Sequence, residues 1–413
     1  MKKCIDRPTI ESIVEQHIEN AAFCWSRLQS GQWSPLYNKK TLQQYQRRLN
    51  ANLEGIRLAG PAAIELSLAK AERWKTPDEI FVAMYVLLQN IDNDSIAPKI
   101  EGIEKLLTAN PSAVLGASSA WKQLNPEALN SAQSTLLNRW KHSPAGMLRA
   151  TVVDFLCADP NENIENYISS NISNCSPTLK ATLLRVIAEQ GICSLAPLCT
   201  AALNDPDPLC RFEASFSLVL FNHSEALPTL RDCLPLIDPQ NLKRGLLLWA
   251  TTSDTQLFDD WIKNRQLIES DNRDLLWAIA FRGERFRIKQ ILPLLNDNNL
   301  TLSAHVINHI SGDLLEPRKS EESAEEEARS FTSESTHIED IGLPEIDMPS
   351  LSDWLQNDES SCAEPTTMGL TLNEATTSHI LETGSQPQRW QAALFISKLP
   401  EPTKWNHVKA LAL

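Results

Sequence analysis

The side chains best placed to bind a metal ion are two histidines one helical turn apart. His305 and His309 are four positions apart, and Asp313 lies one further turn along, so a helix would place them on one face, where they could bind a metal if acidic partners converged. A helix face with two ordinary histidines is the commoner arrangement. The sequence contains no phosphate loop, nucleophile elbow or zinc spacing. We therefore predict no metal ion, no cofactor and no catalytic residue.

A basic stretch from Phe281 to Lys289 alternates arginines with aromatic residues. Because arginine is enriched at interface anchors, Arg282, Arg285 and Arg287 are candidates for binding another protein. The alternative is a turn at Gly283 followed by arginines that decorate the solvated start of a helix. Nucleic acid is not expected as a partner, because the net charge is −14 and no basic stripe balances it.

The negative charge is concentrated in one segment. From Glu316 to Glu364 the chain has 15 acidic and three basic residues, a net charge of −12. Because so polar a segment buries too little apolar area to offset chain entropy, residues 315–367 are predicted to form a mobile linker. Within it, Leu351, Trp354 and Leu355 have the spacing of a short amphipathic helix that docks in a groove of this chain or of a partner. A chance apolar cluster would give the same spacing.

Composition and apolar runs indicate where the protein resides. Nine cysteines occur without any Cys-x-x-Cys pair, which favours reduced thiols in a core. The first residues include two lysines but no apolar run, and the longest apolar stretch, 81–88, is shorter than a bilayer requires. We expect a cytoplasmic protein without membrane insertion.

The elements that position these groups repeat along the chain. Five apolar segments open with a basic residue, at Arg149, Lys180, Arg211, Lys243 and Arg273, at intervals of 31, 31, 32 and 30 residues. Shorter apolar stretches that end in turn residues lie between them. Each repeat is therefore predicted to be two helices with an apolar face that only stacking on the next pair can bury.

One turn carries the clearest signature of a repeat. Asp205 is predicted to cap the helix that follows it, with Pro206 or Pro208 in its first turn. The stretch from Asp205 through Arg211 resembles the turn of a HEAT repeat, and that resemblance implies a ladder of such residues that holds adjacent units in register. The candidate register residues are Arg149, Lys180, Asp205, Arg211, Lys243 and Arg273.

The predicted fold is all-α. It consists of an N-terminal helical segment (1–60), an α-solenoid of degenerate HEAT-like helical hairpins (61–314), the acidic linker (315–367) and a small C-terminal helical segment (368–413). Scarce glycine, 13 residues in 413, agrees with helices better than with a β-sandwich or a nucleotide-binding α/β fold.

Three parts of the chain together resemble a bacterial family of HEAT-repeat proteins encoded in or near type VI secretion gene clusters. The first comprises residues 22–28, Tyr37, Leu42 and residues 49–62. The second is the repeats themselves, and the third is Gly384-Ser-Gln-Pro-Gln-Arg-Trp-Gln-Ala-Ala-Leu after an acidic, Trp-containing linker. The extreme C-terminus, from Val408 onward, departs from the longer basic end of that family. The resemblance covers nearly the whole chain, and its motifs are structural.

The resemblance implies an accessory role in the secretion system, as a non-catalytic scaffold or adaptor that binds secretion components or effectors. A HEAT-like lyase or hydroxylase is the first alternative. HEAT-like di-iron hydroxylases resemble one another in carrying several His-Glu pairs, and this sequence has none. The second alternative is an immunity-type inhibitor of a secreted toxin.

Overall fold

The structure is a computed structural model of the 413-residue chain. It describes residues 11–91, 97–266, 272–295, 299–312 and 364–397, together with Leu343 and Gln356. Nearly all of the predicted acidic linker and the end of the predicted C-terminal segment lie outside these residues. Most of the described residues are helical, and their strands are limited to two of two residues each, which confirms the prediction of an all-α, repeat-like fold.

Successive helices are short and joined by short turns. Their bounds are α1 Glu11–Ser30, α2 Lys39–Ala59, α3 Pro61–Trp74, α4 Pro77–Gln89, α5 Ala97–Ala109, α6 Ala113–Trp121, α7 Ser131–Lys141, α8 Gly146–Leu156, α9 Ile164–Asn171, α10 Pro177–Gln190, α11 Ala196–Ala202, α12 Pro208–Leu220, α13 Leu227–Cys233, α14 Pro239–Thr252, α15 Thr255–Gln266, α16 Arg273–Arg282, α17 Leu300–Ser311, α18 Glu374–Thr383 and α19 Gln386–Ser397. A 3₁₀ segment spans Arg285–Leu294, a shorter one spans Gly31–Trp33, and two-residue strands occupy β1 Thr366–Thr367 and β2 Leu370–Thr371.

Local sequence explains where many of the helices begin and end. Several start with proline at the first position, where its missing N–H costs nothing and its fixed φ suits the helix. Helix α10 ends at Gly191, which takes φ +66°, and the Ile192 amide closes the turn on the Ile187 carbonyl at 3.0 Å. These boundary signals explain why the predicted hairpins form.

The prediction that Asp205 caps helix α12 is wrong, because Asp207 does so. Asp207 Oδ1 accepts hydrogen bonds from the amides of Leu209 and Cys210, at 2.9 and 3.0 Å. Asp205 Oδ1 instead accepts from the Asp207 amide at 3.0 Å and orders the turn before the helix. Both aspartates precede a proline, so the sequence pattern alone did not separate them.

Contacts divide the chain into two compact units. Among the described residues, unit 1 contains 11–30 and 42–217, and unit 2 contains 31–41 and the residues from 218 to 397. Unit 2 therefore includes a short piece of chain that is remote in sequence from the rest of it.

In unit 1 the second helix of each hairpin packs on the second helix of the next, so that α4, α6, α8 and α10 form one layer. Helix α4 is buried from Ile80 to Leu88. It approaches α6 so closely that a Cβ at Gly116 would lie 2.0 Å from the Pro77 carbonyl oxygen, so only glycine fits there. Trp25 of α1 stacks on Phe81, with 5.4 Å between the ring centroids.

In unit 2, helices α14, α16 and α17 form a corresponding layer, and residues 364–397 pack on its end. The hairpin of β1 and β2 turns through Met368 and Gly369, which both have positive φ. Its amides cap carbonyl groups at the ends of α16 and α17: Thr366 donates to Gly283 at 2.9 Å, and Met368 donates to His309 at 2.8 Å. These bonds satisfy helix-end acceptors that would otherwise lack partners.

Helix α19 is enclosed on all sides from Gln386 to Leu394. Residues 31–41 cover one of these sides: Trp33 stacks on Trp390 with 5.1 Å between centroids, and Trp390 Nε1 donates to the Gln32 carbonyl at 2.7 Å. The Gln386 amide donates to the Tyr37 carbonyl at 2.7 Å. The core of unit 2 thus combines an early segment, the repeat helices and a late segment of the chain.

Candidate protein-interaction surface

Three of the predicted register residues contact the hairpin that follows their own. Lys180 Nζ of α10 pairs with Asp205 Oδ2, in the turn before α12, at 2.6 Å. Arg149 of α8 donates to Asn171 Oδ1, at the end of α9, at 2.9 Å. Lys243 Nζ of α14 lies 5.5 Å from the centroid of the Trp277 ring in α16.

The other two basic register residues have different positions. Arg211 Nη1 donates to the carbonyls of Asp205 and Pro206, at 2.7 and 3.0 Å, and so braces the turn of its own hairpin. Arg273 is the first residue of α16. The common role of these residues in setting the repeat register stays a prediction.

A partly buried charge cluster in unit 1 was not predicted. Asp154 of α8 pairs with Lys122 Nζ at 2.7 Å and accepts a hydrogen bond from Ser118 Oγ at 3.0 Å. Its second oxygen pairs with Arg185 of α10, which also pairs with Glu189 at 2.6 Å. We call these five residues the Asp154 charge cluster, and they join three successive hairpins.

Mutual attraction keeps Asp154 and Arg185 ionised. Burial alone would raise the pKa of Asp154, but Arg185 and Lys122 outweigh burial and hold the pKa well below its usual range. Burial alone would lower the pKa of Arg185, and the carboxylates of Asp154 and Glu189 hold it well above the usual value. A signal was present in the sequence, because Lys122, Asp154 and Arg185 are spaced by 32 and 31 residues.

The arginines predicted to bind a partner lie in unit 2. Arg282 Nη1 donates to the carbonyls of Ala250 and Ser253, at 2.9 and 2.6 Å, and its Nε donates to Glu284 at 2.9 Å. Its guanidinium carbon is 5.2 Å from the centroid of the Phe258 ring. Arg282 therefore caps the C-terminal end of α14.

Arg287 is fully buried and pairs with both Glu284 and Asp259. Its guanidinium carbon lies 4.9 Å from the centroid of Phe258 and 4.8 Å from that of Phe286. The two carboxylates and two rings surround the cation, so this side chain stabilises unit 2 from within.

Arg285 is half-buried, and its neighbour Phe286 is exposed. The structure therefore does not bring Arg282, Arg285 and Arg287 together on one exposed patch. Their role in binding a partner stays a prediction. The other protein-binding candidates, Leu351, Trp354 and Leu355, lie outside the described residues.

The two histidines share one buried face of α17. Burial lowers the pKa of His305 to about 3 and that of His309 to about 4. His309 Nε2 lies 2.9 Å from Gln391 Oε1, and Gln391 Nε2 donates to the Phe281 carbonyl at 3.0 Å. With that amide orientation, His309 is the donor and is neutral. Among the described residues, no group of three or more His, Cys, Asp or Glu side chains could hold a metal ion.

A surface group of arginine and aromatic side chains on α1 and α2 of unit 1, in which Tyr45 is half-buried and the others are exposed, was also missed. Phe23 is 44% exposed, and its ring meets that of Tyr45 edge-on with 6.4 Å between centroids. The guanidinium carbon of Arg27 lies 5.1 Å from the centroid of Phe23, and that of Arg48 lies 5.8 Å from the centroid of Tyr45. We call these four residues the arginine–aromatic surface.

Helical spacing and burial of the opposite faces hold this surface in place. Phe23 and Arg27 are four residues apart on α1, and Tyr45 and Arg48 are three apart on α2, so each pair shares one face of its helix. The inward faces carry the buried residues Cys24, Trp25, Leu28, Leu42 and Leu49. Because these anchors fix both helices, the four side chains form a defined surface.

None of the described helices combines the length and the apolar character that crossing a bilayer demands. No protein-family model, curated protein or solved structure matches the chain.

Proposed function

We propose that this chain is a protein-binding scaffold or adaptor and that it contacts its partner through the arginine–aromatic surface. The observation that carries the proposal is the packing of two exposed guanidinium groups against two neighbouring aromatic rings on α1 and α2. Stacked helical hairpins support it, because repeat folds present extended surfaces suited to protein recognition.

Composition supports a binding role for this surface. A single exposed apolar side chain is ordinary, but here Phe23 and Tyr45 lie in contact with each other and with two arginines. Tyrosine and arginine are the types that contribute most to interface affinity, and phenylalanine is enriched at interfaces. A partner that covered the exposed part of Phe23 would gain free energy from removing apolar area from water.

The arrangement is also ordered before any partner binds. Each guanidinium stacked on a ring gains about 0.5–1 kcal/mol at an exposed site, which restricts the rotamers of Arg27 and Arg48. Less entropy is then lost when a partner binds. Neither arginine forms an ion pair with a described residue, so both cations can pair with carboxylates of an acidic partner surface.

The class of partner comes from the family resemblance. That resemblance implies a type VI secretion component or effector, so we propose such a protein, with an acidic contact surface, as the ligand of the arginine–aromatic surface. Charge complementarity would set the rate and the specificity of association.

Site-specific photocrosslinking tests the proposal. A photoreactive phenylalanine analogue replaces Phe23 in the full chain, and a matched variant carries the analogue at Leu236, which is 55% exposed in unit 2. Both are expressed in cells with an active type VI secretion system, and the crosslinked proteins are identified. We expect secretion components to be enriched at Phe23 over Leu236.

The charge-reversed variant Arg27→Glu/Arg48→Glu should abolish this enrichment, because it places like charges against an acidic partner. Recovery of the same proteins at both positions, or of no secretion component, would contradict the proposal. If a secreted toxin is recovered specifically at Phe23, and if cells that lack this chain are sensitive to that toxin, the immunity alternative would be supported instead. No specific observation on the described residues favours the lyase or hydroxylase, and that alternative stays a prediction.

A further inference from the structure

Three buried hydrogen-bond donors without partners lie where α18 ends and α19 begins, in unit 2. Arg389 and Gln386 are both fully buried. Arg389 Nε donates to the Leu381 carbonyl at 2.8 Å, and its Nη1 donates to Gln386 Oε1 at 3.1 Å. Arg389 Nη2, Gln386 Nε2 and Ser385 Oγ are buried and meet no acceptor among the described residues. Each buried donor that is left unpaired costs free energy.

The guanidinium also has no counter-charge within ion-pairing distance among the described residues. Glu382 influences Arg389 only at longer range, since its carboxylate pairs with Lys39 Nζ at 2.6 Å and is 66% exposed. Burial lowers the pKa of Arg389 to about 10, so the side chain is still a cation at neutral pH. A buried cation without a counter-charge destabilises the folded state.

Two of the unpartnered donors belong to side chains that are hydrogen-bonded to each other. Arg389 Nη1 donates to Gln386 Oε1 at 3.1 Å, and Nη2 and Nε2 are the remaining nitrogens of the same guanidinium and amide groups. Ser385 precedes Gln386, and the first turn of α19 adds the positive end of a helix dipole. The three donors and the guanidinium charge favour an anion. The Leu381 carbonyl at the C-terminal end of α18 offsets part of that charge, and full burial of Arg389 and Gln386 limits the size of the anion.

We propose that Ser385, Gln386 and Arg389 form a binding site for a small inorganic anion of the size of chloride. The anion accepts hydrogen bonds from Nη2, Nε2 and Oγ and neutralises the guanidinium. Because Arg389 also holds the Leu381 carbonyl, anion binding ties the end of α18 to the start of α19. It thereby stabilises the docking of residues 364–397 in unit 2.

The test compares chloride with gluconate, which is too large to enter so enclosed a site, at constant ionic strength in the full chain. Raising chloride from 1 to 100 mM should slow amide exchange of residues 386–394 by roughly 10- to 100-fold if the site has a dissociation constant near 1 mM. The thermal midpoint of unit 2 should rise by about 5–9 °C. Gluconate alone should do neither.

Three variants assign the effect. Arg389→Met removes the cation, and Gln386→Glu supplies a carboxylate of the protein's own in place of the anion. Arg231→Met is the control, since it removes a surface arginine of unit 2 that pairs with Asp232 at 2.8 Å. We expect the chloride response to vanish in the first two and to persist in the control. Gln386→Glu should also be more stable than the wild type in 1 mM chloride.

A wild type that is insensitive to chloride would mean that water alone satisfies these donors, and the proposal would be wrong. If Gln386→Glu kept an undiminished chloride response, the anion would bind elsewhere and the proposal would be wrong. This variant keeps Arg389, so it tests the proposal even if Arg389→Met fails to fold.

Discussion

Trp33 and Trp390 stack almost face to face, with their ring planes inclined by 14°. One belongs to the short segment between α1 and α2, and the other belongs to the last described helix. Phe281 of α16 completes the group, at 6.2 Å from Trp33. These rings therefore join an early segment, the repeat helices and a late segment within unit 2.

Replacing Trp390 by alanine should destabilise unit 2 by about 3–5 kcal/mol, because it leaves a cavity beside Trp33 and removes the hydrogen bond to the Gln32 carbonyl. Denaturant unfolding, monitored by amide exchange in α16 and α19, measures the loss of stability. The matched variant is Trp74→Ala, which removes an indole that is 57% exposed and should cost much less. Equal losses in the two variants would contradict the role assigned to the stack.

Replacing Asp154 by asparagine should destabilise unit 1 by roughly 3–5 kcal/mol at neutral pH, since Lys122 and Arg185 lose their shared carboxylate. The pKa of Asp154 lies well below its ordinary value of 3.8, so its contribution is present above that pH. The contribution is lost as the pH falls through the lowered folded-state pKa. The difference between the wild type and Asp154→Asn should therefore narrow on acidification below pH 3.8.

The control for this series is Asp232→Asn, which breaks an exposed pair with Arg231 and should cost less than about 1 kcal/mol. Chemical denaturation of the wild type and of both variants at several pH values measures these differences in stability. A difference for Asp154→Asn that stays constant with pH would show that packing, not charge, explains the effect.

Glu79→Gln should stabilise unit 1 in mild alkali and not in acid. Burial, helped by the charge of Asp78, raises the pKa of Glu79 from 4.5 to about 7. Between pH 4.5 and about 7, the folded state holds a proton on Glu79 that the unfolded state has lost. The free energy of unfolding therefore falls as the pH rises through this range, and it stays low at higher pH. Because Glu79 is only half-buried, we expect a gain of about 1 kcal/mol at pH 8.

Thermal unfolding of Glu79→Gln at pH 4 and pH 8 measures this gain, and Glu72→Gln, at an exposed position of α3, is the control. We expect the midpoints of Glu79→Gln and wild type to agree at pH 4 and to separate at pH 8. The same separation at both pH values would rule out titration of Glu79 as the cause.

The pair of Lys180 and Asp205 should show a measurable coupling between hairpins. A double-mutant cycle with Lys180→Met and Asp205→Asn is expected to give about 1 kcal/mol, because the carboxylate is largely buried. The same cycle on the exposed pair of Glu54 and Arg57 should give at most about 0.5 kcal/mol. If the coupling were no larger than that between Glu54 and Arg57, Lys180 would not act as a register residue.

The interval near 31 residues predicted the hairpins well, because stacked units repeat the same positions relative to their neighbours. That is why Lys180 and Asp205 meet across a boundary between hairpins. The same interval relates Lys122, Asp154 and Arg185, but their charges alternate, so a search for one residue type at each position could not find them.

Other parts of the candidate site depended on tertiary contacts that spacing does not encode. Arg282 and Arg287 resemble exposed arginines in the sequence, and only the free carbonyls of α14 and the carboxylates of Glu284 and Asp259 explain their burial. For the arginine–aromatic surface, spacing predicts that Phe23 can meet Arg27 and that Tyr45 can meet Arg48. It does not predict that the two pairs come together, because that depends on how α1 packs beside α2.

The composition of unit 2 has a consequence for protein synthesis. A ribosome adds about 5–20 residues per second, so on the order of tens of seconds separate the emergence of Trp33 from that of Trp390. For about the last 5–20 s of that time the nascent chain carries Phe281 and its neighbours without the helix that encloses them. The apolar surface around Phe281 is therefore exposed on the nascent chain during that interval, and we expect a product truncated just before residue 390 to be prone to aggregate.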